Sequence, residues 1–131
     1  QEAGIIEFLG KIDDMDEALR EYDCVVLPSY YGEGVPRILL EASAMGKVCI
    51  STFTAGCEDA IDHEETGLLC EPKNILDLAE KMERVIAMTD DEKNKFGSAA
   101  RRKIETEFDE KIVLETYARI CRNITVGNAI V

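Results

Sequence analysis

The sequence predicts an α/β fold of three layers, a parallel sheet with helices on both faces. Three observations carry this. Short, largely apolar runs at residues 5–9, 24–27, 48–51 and 68–70 alternate with stretches of helical periodicity, and strands that alternate with helices build parallel sheets. The run Cys24-Val25-Val26-Leu27 is apolar at every position, as in a strand covered on both faces. At 131 residues the chain is long enough for one proper core and is read as one partial domain over 1–131.

Each element has its own justification. Ile5-Ile6-Glu7-Phe8-Leu9 followed by Gly10 reads as a strand and its exit turn. A short helix over 13–20 follows, with its acids in the first turn where the helix dipole favours them. The second strand, Cys24 to Leu27, leads through a glycine loop into a helix opened by Pro36, whose missing N–H suits a helix start. That helix reads Ile38-Leu39-Leu40-Glu41-Ala42-Ser43-Ala44-Met45 and stops at Gly46. A third strand, Val48-Cys49-Ile50-Ser51, precedes the loop Thr52-Phe53-Thr54-Ala55-Gly56-Cys57-Glu58, a short helix over 58–62 and turn chemistry at Glu64-Glu65-Thr66-Gly67. After a fourth strand at 68–70, Asn74 precedes an amphipathic helix with Ile75, Leu78, Ala79, Met82, Val85 and Ile86 on one face. Asp90-Asp91-Glu92 opens a helix carrying Phe96, Ala99, Ala100 and Ile104 inward. Asp109 caps the last one, with Ile112, Val113, Tyr117, Ile120, Cys121 and Ile124 as its apolar face.

Composition narrows the function. A net charge of −12 argues against nucleic acid or an anionic membrane as partner. No apolar run approaches the ~20 residues needed to span a bilayer. The chain begins at Gln1 and enters a strand almost at once, which reads as a fragment or processed product. Five cysteines, Cys24, Cys49, Cys57, Cys70 and Cys121, form no C-x-x-C pair and no zinc spacing. They read as structural thiols in a reducing cytoplasm, with a catalytic alternative only at Cys57.

In parallel sheets ligands bind outside the carboxyl ends of the strands, where the loops at 30–36 and 52–58 both fall. The turn Gly34-Val35-Pro36-Arg37 directs helix-start N–H groups into that cleft, an anion site in form; the alternative is an ordinary strand-to-helix connection. Glu41 is a lone carboxylate on the stripe of Ile38, Ala42 and Met45. Buried without donors it would be costly, so it faces either a ligand or a paired Arg or Lys. Glu33 and Glu41 bracket the phosphate position, and a carboxylate accepts from two hydroxyls at once, which suits a sugar diol. A metal is the rival, but hard cations take several oxygen ligands together, so no metal and no cofactor is expected. Tyr30 and Tyr31 are candidate walls of a sugar or base site. His63, the single histidine, reads as a solvated surface residue.

The stretch Leu27-Pro28-Ser29-Tyr30-Tyr31-Gly32-Glu33-Gly34-Val35-Pro36-Arg37-Ile38-Leu39-Leu40-Glu41-Ala42 resembles the E-x7-E signature of the retaining glycosyltransferases of family 4. The likeness continues through Met45-Gly46-Lys47, Gly56-Cys57-Glu58, Thr66-Gly67-Leu68-Leu69 and the three closing helices, over almost the whole chain. It implies the carboxyl-terminal, Rossmann-like domain of a two-domain GT-B enzyme. The activity implied is hexosyl transfer from a nucleotide sugar, UDP-linked, to a glycan or lipid-linked acceptor at the cytoplasmic side. Glu41 would hold the ribose hydroxyls, Glu33 would lie beside the transferred sugar and diphosphate as the catalytic residue, and Gly34, Val35 and Pro36 would line the donor pocket. Tyr31, Arg37, Gly56 and Glu58 are further candidates for that site. The alternative is a non-catalytic nucleotide- or sugar-binding module on the same fold; a phosphorylase or epimerase is a third.

The resemblance also implies what is missing. The family's diphosphate-binding Arg and Lys lie upstream, as does the acceptor-binding domain. In the strand order 3-2-1-4-5-6 the run at 5–9 would be strand three and Cys24-Val25-Val26-Leu27 strand four, with two strands absent between them. The isolated chain is therefore expected to pair this edge with a second copy, as a strand-pairing homodimer, or to move residues 5–9 to a new neighbour.

Overall fold

The computed structural model describes residues 4–32 and 34–127. Its elements run α1 (Met15–Arg20), β1 (Cys24–Val26), α2 (Arg37–Ala44), β2 (Val48–Thr52), α3 (Cys57–Ala60), β3 (Leu68–Cys70), α4 (Ile75–Ala87), α5 (Asp90–Glu107) and α6 (Glu110–Gly127). The sheet has the order β1-β2-β3 and both pairings are parallel, with Cys24 opposite Val48 and Ile50 opposite Leu68.

Alternation along β2 sorts the interior into two cores. Cys49 joins Leu19, Leu39, Ala42, Cys57, Ala60, Ile61 and Leu69 on the face covered by α1, α2 and α3. Val48 and Ile50 point the other way, to Leu68 and Val85, with Leu78, Met88 and Phe96 from the α4 and α5 side closing over them. The expected three layers are thus present. Side chains such as Leu39, Ile50 and Leu68 are fully buried, each worth about 1.5–3 kcal/mol against exposure. Helix starts follow the capping chemistry of the sequence: Asp14 Oδ1 accepts from Glu17 N–H at 3.0 Å and Asn74 Oδ1 from Asp77 N–H at 3.0 Å. Asp109 Oδ1 accepts from Lys111 N–H at 2.9 Å. Thr89 and Glu92 form a reciprocal capping box at the start of α5.

Three expectations need correction. Residues 5–9 form no strand, and Ile5 and Phe8 are 85% and 84% exposed. Extended backbone is stable only when its N–H and C=O groups find a neighbour, and among the described residues β1 pairs on one side alone. The face of α4 closes at Val85 and in part at Leu78, while Ile75 and Ile86 remain 81% and 79% exposed. Met82 and Ile86 border a hollow of about 90 Å³ together with Cys24, Val26 and Ile50, so this part of the face lies over the sheet without closing on it. On α6, Ile112, Val113, Tyr117, Ile120, Cys121 and Ile124 are all exposed, and none of the described side chains of the helix joins either core.

On α5 the inward positions include two that the apolar pattern passes over, Gly97 and Lys103. Gly97 lies against the backbone of Gly46, the left-handed residue (φ 72°) just past the end of α2. Lys103 is buried, with its Nζ 3.1 Å from Asp62 and 2.8 Å from Glu107. Burial alone would lower its pKa, but the bonds to Glu107 and Asp62 outweigh that and raise it.

Candidate functional site

The carboxyl ends of β1 and β2 are stitched together by two buried hydroxyls. Ser51 Oγ donates to the Leu27 carbonyl at 2.8 Å, and Thr52 Oγ1 donates to the Ser29 carbonyl. Leu27 N–H adds a further rung to the Ile50 carbonyl at 2.9 Å. The chain leaving β1 is therefore held to the end of β2 for three residues beyond the strand, and this sets where α2 begins. Neither hydroxyl stands out in the sequence; the only signal is a pair of polar residues closing an otherwise buried strand.

At the start of α2, Pro36 is the cap residue itself, extended at ψ 123°, one position earlier than expected for it. No side chain caps this end among the described residues, and Leu39 and Leu40 both donate to the Pro36 carbonyl. Among the described residues that leaves the Arg37 and Ile38 amides without an acceptor in the helix. Gly34 is exposed, while Val35 and Pro36 are half-buried and Val35 packs on the core under α2. A Cβ at Gly32 or Gly34 would meet nothing within 4 Å.

Glu41 is half-buried, its side chain 27% exposed, and the donor facing it belongs to the same helix: Arg37 Nε donates to Glu41 Oε1 at 2.6 Å. Arg37 itself is 90% exposed. The two alternatives drawn from the sequence, a ligand-facing carboxylate and an ion pair, are therefore not exclusive. Glu41 has a protein partner on one oxygen, while Oε2 accepts nothing from the described residues. Glu33 lies outside the described residues.

The neighbouring loop after β2 brings Gly56 and Glu58 to the same sheet edge. Gly56 is buried with φ 82°, a left-handed conformation that favours glycine, and it turns the chain into α3. Glu58 is exposed, with its N–H bonded to the Thr54 carbonyl at 3.0 Å, and it makes no hydrogen bond or ion pair to Arg37 or Glu41. Tyr31 is exposed and its ring lies 4.3 Å from that of Tyr30. Lys73 Nζ stands 5.1 Å over the Tyr30 ring. Together with Pro28, Thr52, Cys70 and Ile75 these last two residues border a hollow of about 120 Å³ above the strand ends.

One further reading changes, that of His63, and the catalytic alternative at Cys57 falls away. His63 is a built-in part of the sheet edge: its Nδ1 accepts from Leu69 N–H at 2.9 Å, and its ring meets Phe53 edge-on. Cys57 is buried in the core under α2 and α3. Burial pushes the Cys24 thiol up to about 12 and the Cys49 thiol up to about 11, which keeps both protonated and inert at neutral pH. Among the described residues no three His, Cys, Asp or Glu side chains gather as a metal set, and no helix is long and apolar enough to cross a membrane.

Comparison with known proteins follows the same stretch. The profile of the family described as glycosyl transferases group 1 matches residues 2–103. The N,N'-diacetylbacillosaminyl-diphospho-undecaprenol alpha-1,3-N-acetylgalactosaminyltransferase of Campylobacter jejuni is 35% identical over 127 residues, covering 93% of this chain and 33% of that protein. The N-acetyl-alpha-D-glucosaminyl L-malate synthase of Bacillus anthracis is 32% identical over 113 residues, covering 86% and 29%. The chain thus spans about a third of the length of these curated relatives. A glycosyltransferase crystal structure from Rickettsia africae superposes with a TM-score of 0.88 at 25% identity, covering 95% of this chain and 33% of that one. HepE of Anabaena, crystallised in complex with UDP, shares the fold with a TM-score of 0.82 at 23% identity, covering 89% and 32%.

Proposed function

The chain belongs to the group 1 glycosyl transferases, and on that premise we propose that it is the donor-binding half of a retaining, family 4 enzyme of the GT-B class. The reaction is hexosyl transfer from a UDP-sugar to a glycan or lipid-linked acceptor in polysaccharide biosynthesis, at the cytoplasmic side of the membrane. The observation that supports this best is the start of α2: among the described residues no side chain caps this end, and Glu41 stands one turn on with one of its oxygens unclaimed. UDP complexes of the similarly folded HepE and the lipid-linked substrate named for the Campylobacter relative are consistent with it.

In this reading Glu41 accepts the ribose hydroxyls, and Gly34, Val35 and Pro36 line the sugar and diphosphate pocket. As the nucleoside diphosphate departs it gathers negative charge. Preorganised amides at a helix start stabilise that charge without reorganisation. The acceptor attacks from the leaving-group face with the phosphate assisting its deprotonation, so no protein nucleophile is needed. Glu33 acts beside the transferred sugar, not as a covalent nucleophile, and no cofactor takes part.

The test is a sugar-transfer assay on the full-length protein. Glu41→Ala is expected to weaken UDP binding by tenfold or more, since hydrogen bonds to a charged group contribute about 1.5–3 kcal/mol, and Glu33→Gln to lower turnover chiefly. Unchanged UDP affinity in Glu41→Ala refutes the assignment. Binding of UDP-sugars without transfer to any acceptor favours the alternative, a non-catalytic binding module.

A further inference from the structure

We propose that Arg37 is a positioning residue, which presets the Glu41 carboxylate for a vicinal diol while staying in place when the ligand binds. The inference rests on the donor-site reading of Glu41 above. It starts from a placement that helix stability does not explain. Arg37 is the first residue of α2, where the dipole disfavours a cation. Its partner follows at i+4, and the acid-first order is the better one for such pairs. An exposed ion pair also contributes little to stability. The pair therefore stands in the less favourable orientation at the less favourable end.

What the pair does achieve is geometric. The contact is single, Nε to Oε1 at 2.6 Å, rather than the two-pronged fork that would occupy both carboxylate oxygens. Oε1 keeps one lone pair and Oε2 keeps both, so a diol can engage the two oxygens side by side with Arg37 still bound. Glu41 is held against the half-buried stripe of α2 while the guanidinium reaches it from the solvent side. With Arg37 removed, the carboxylate is left to sample other rotamers, and binding a diol must fix it again.

The experiment compares UDP with 2′,3′-dideoxyuridine diphosphate by calorimetry, on full-length wild type, Arg37→Ala, Glu41→Gln and the double variant. Arg37→Ala is expected to weaken UDP binding about threefold to fivefold, the scale of an exposed pair. It should leave the dideoxy ligand nearly unaffected and add nothing in the Glu41→Gln background. Its thermal midpoint should be unchanged or slightly raised, which a structural role would not give. An Arg37→Ala effect that persists without Glu41, or is equal for both ligands, means that Arg37 acts directly on the diphosphate and overturns the inference. Unchanged or tighter UDP binding in Arg37→Ala, with Glu41→Gln weakened, overturns it alone. Unchanged binding in Glu41→Gln overturns it together with the donor-site reading.

Discussion

Gly97→Ala tests the close approach between α5 and the end of α2. A Cβ at Gly97 would stand 2.8 Å from the Gly46 carbonyl carbon and 3.3 Å from its Cα, and nearer still to the carbonyl oxygen. Carbon atoms in contact prefer about 3.5–4.0 Å, so the two backbones must separate by about 1 Å. Neither side can yield by rotating a side chain, because the obstruction is main chain. Two effects compete. Alanine inside a helix gains about 1 kcal/mol over glycine, while overpacking costs about 1–3 kcal/mol, and a backbone clash belongs at the upper end. The net expectation is a loss of about 1–2 kcal/mol, or about 3–10 °C in midpoint for a domain of this size. Urea and thermal unfolding of Gly97→Ala should be compared with Ser98→Ala, an exposed neighbour on the same helix, where only the propensity gain operates. A Gly97→Ala protein as stable as Ser98→Ala would refute the packing argument.

Lys73 adopts φ 61° in the turn closed by Asn74 N–H to the Glu71 carbonyl at 3.2 Å, a position that favours glycine. Lys73→Gly removes a left-handed strain of about 1–2 kcal/mol and a cation–π contact of about 0.5–1 kcal/mol. A small rise in the unfolding midpoint is expected, with Lys73→Ala no better than wild type; the reverse order would show that the Tyr30 contact outweighs the strain. A third prediction concerns acid. The Arg84 bond holds the Glu64 carboxyl below its ordinary value of 4.5, and Glu71 N–H followed by Lys81 does the same for Asp77. Depressed folded pKa values stabilise above the ordinary carboxylate range, and that stability is lost as pH falls through it toward the folded values. Midpoints measured downward from pH 5 should therefore decline, less steeply in Glu64→Gln and Asp77→Asn; parallel slopes in all three proteins would discard these two groups as the cause.

Much of this fold is legible because it rests on local rules. Three apolar runs became strands since each is covered on both faces, and Asp14, Asn74 and Asp109 mark helix starts by chemistry acting within three residues. Glu41 was legible as an oddity, an acid on an apolar stripe, and helical spacing puts Arg37, four residues earlier, beside it; what spacing does not give is that the contact is single, Nε to Oε1. The hydroxyls of Ser51 and Thr52 reach back 24 and 23 residues to the chain just beyond β1, and such pairings leave no local trace. His63 eluded the sequence for a different reason: its partner Leu69 is only six residues on, but the bond exists only once the turn between them folds β3 back beside the ring. Residues 5–9, the ends of α4 and the face of α6 show the converse limit. An apolar pattern declares that a surface is fit to be covered, and says nothing of what covers it.

That limit bears on how far the candidate site depends on the rest of the protein. The exposed apolar residues lie mainly at the start of the described chain, along α4 and α6, and at Tyr30 and Tyr31 beside the site. Arg37 and Glu41 are held differently. Arg37 and Glu41 stand on α2, whose Leu39 and Ala42 are fully buried in the core with Cys49 and Leu69, and the β1 exit is bonded to β2 by buried hydroxyls. A carboxylate fixed by its own helix and by a closed core needs no cover on α6 to keep its geometry. The orientation of Glu41 is therefore a property of these residues alone.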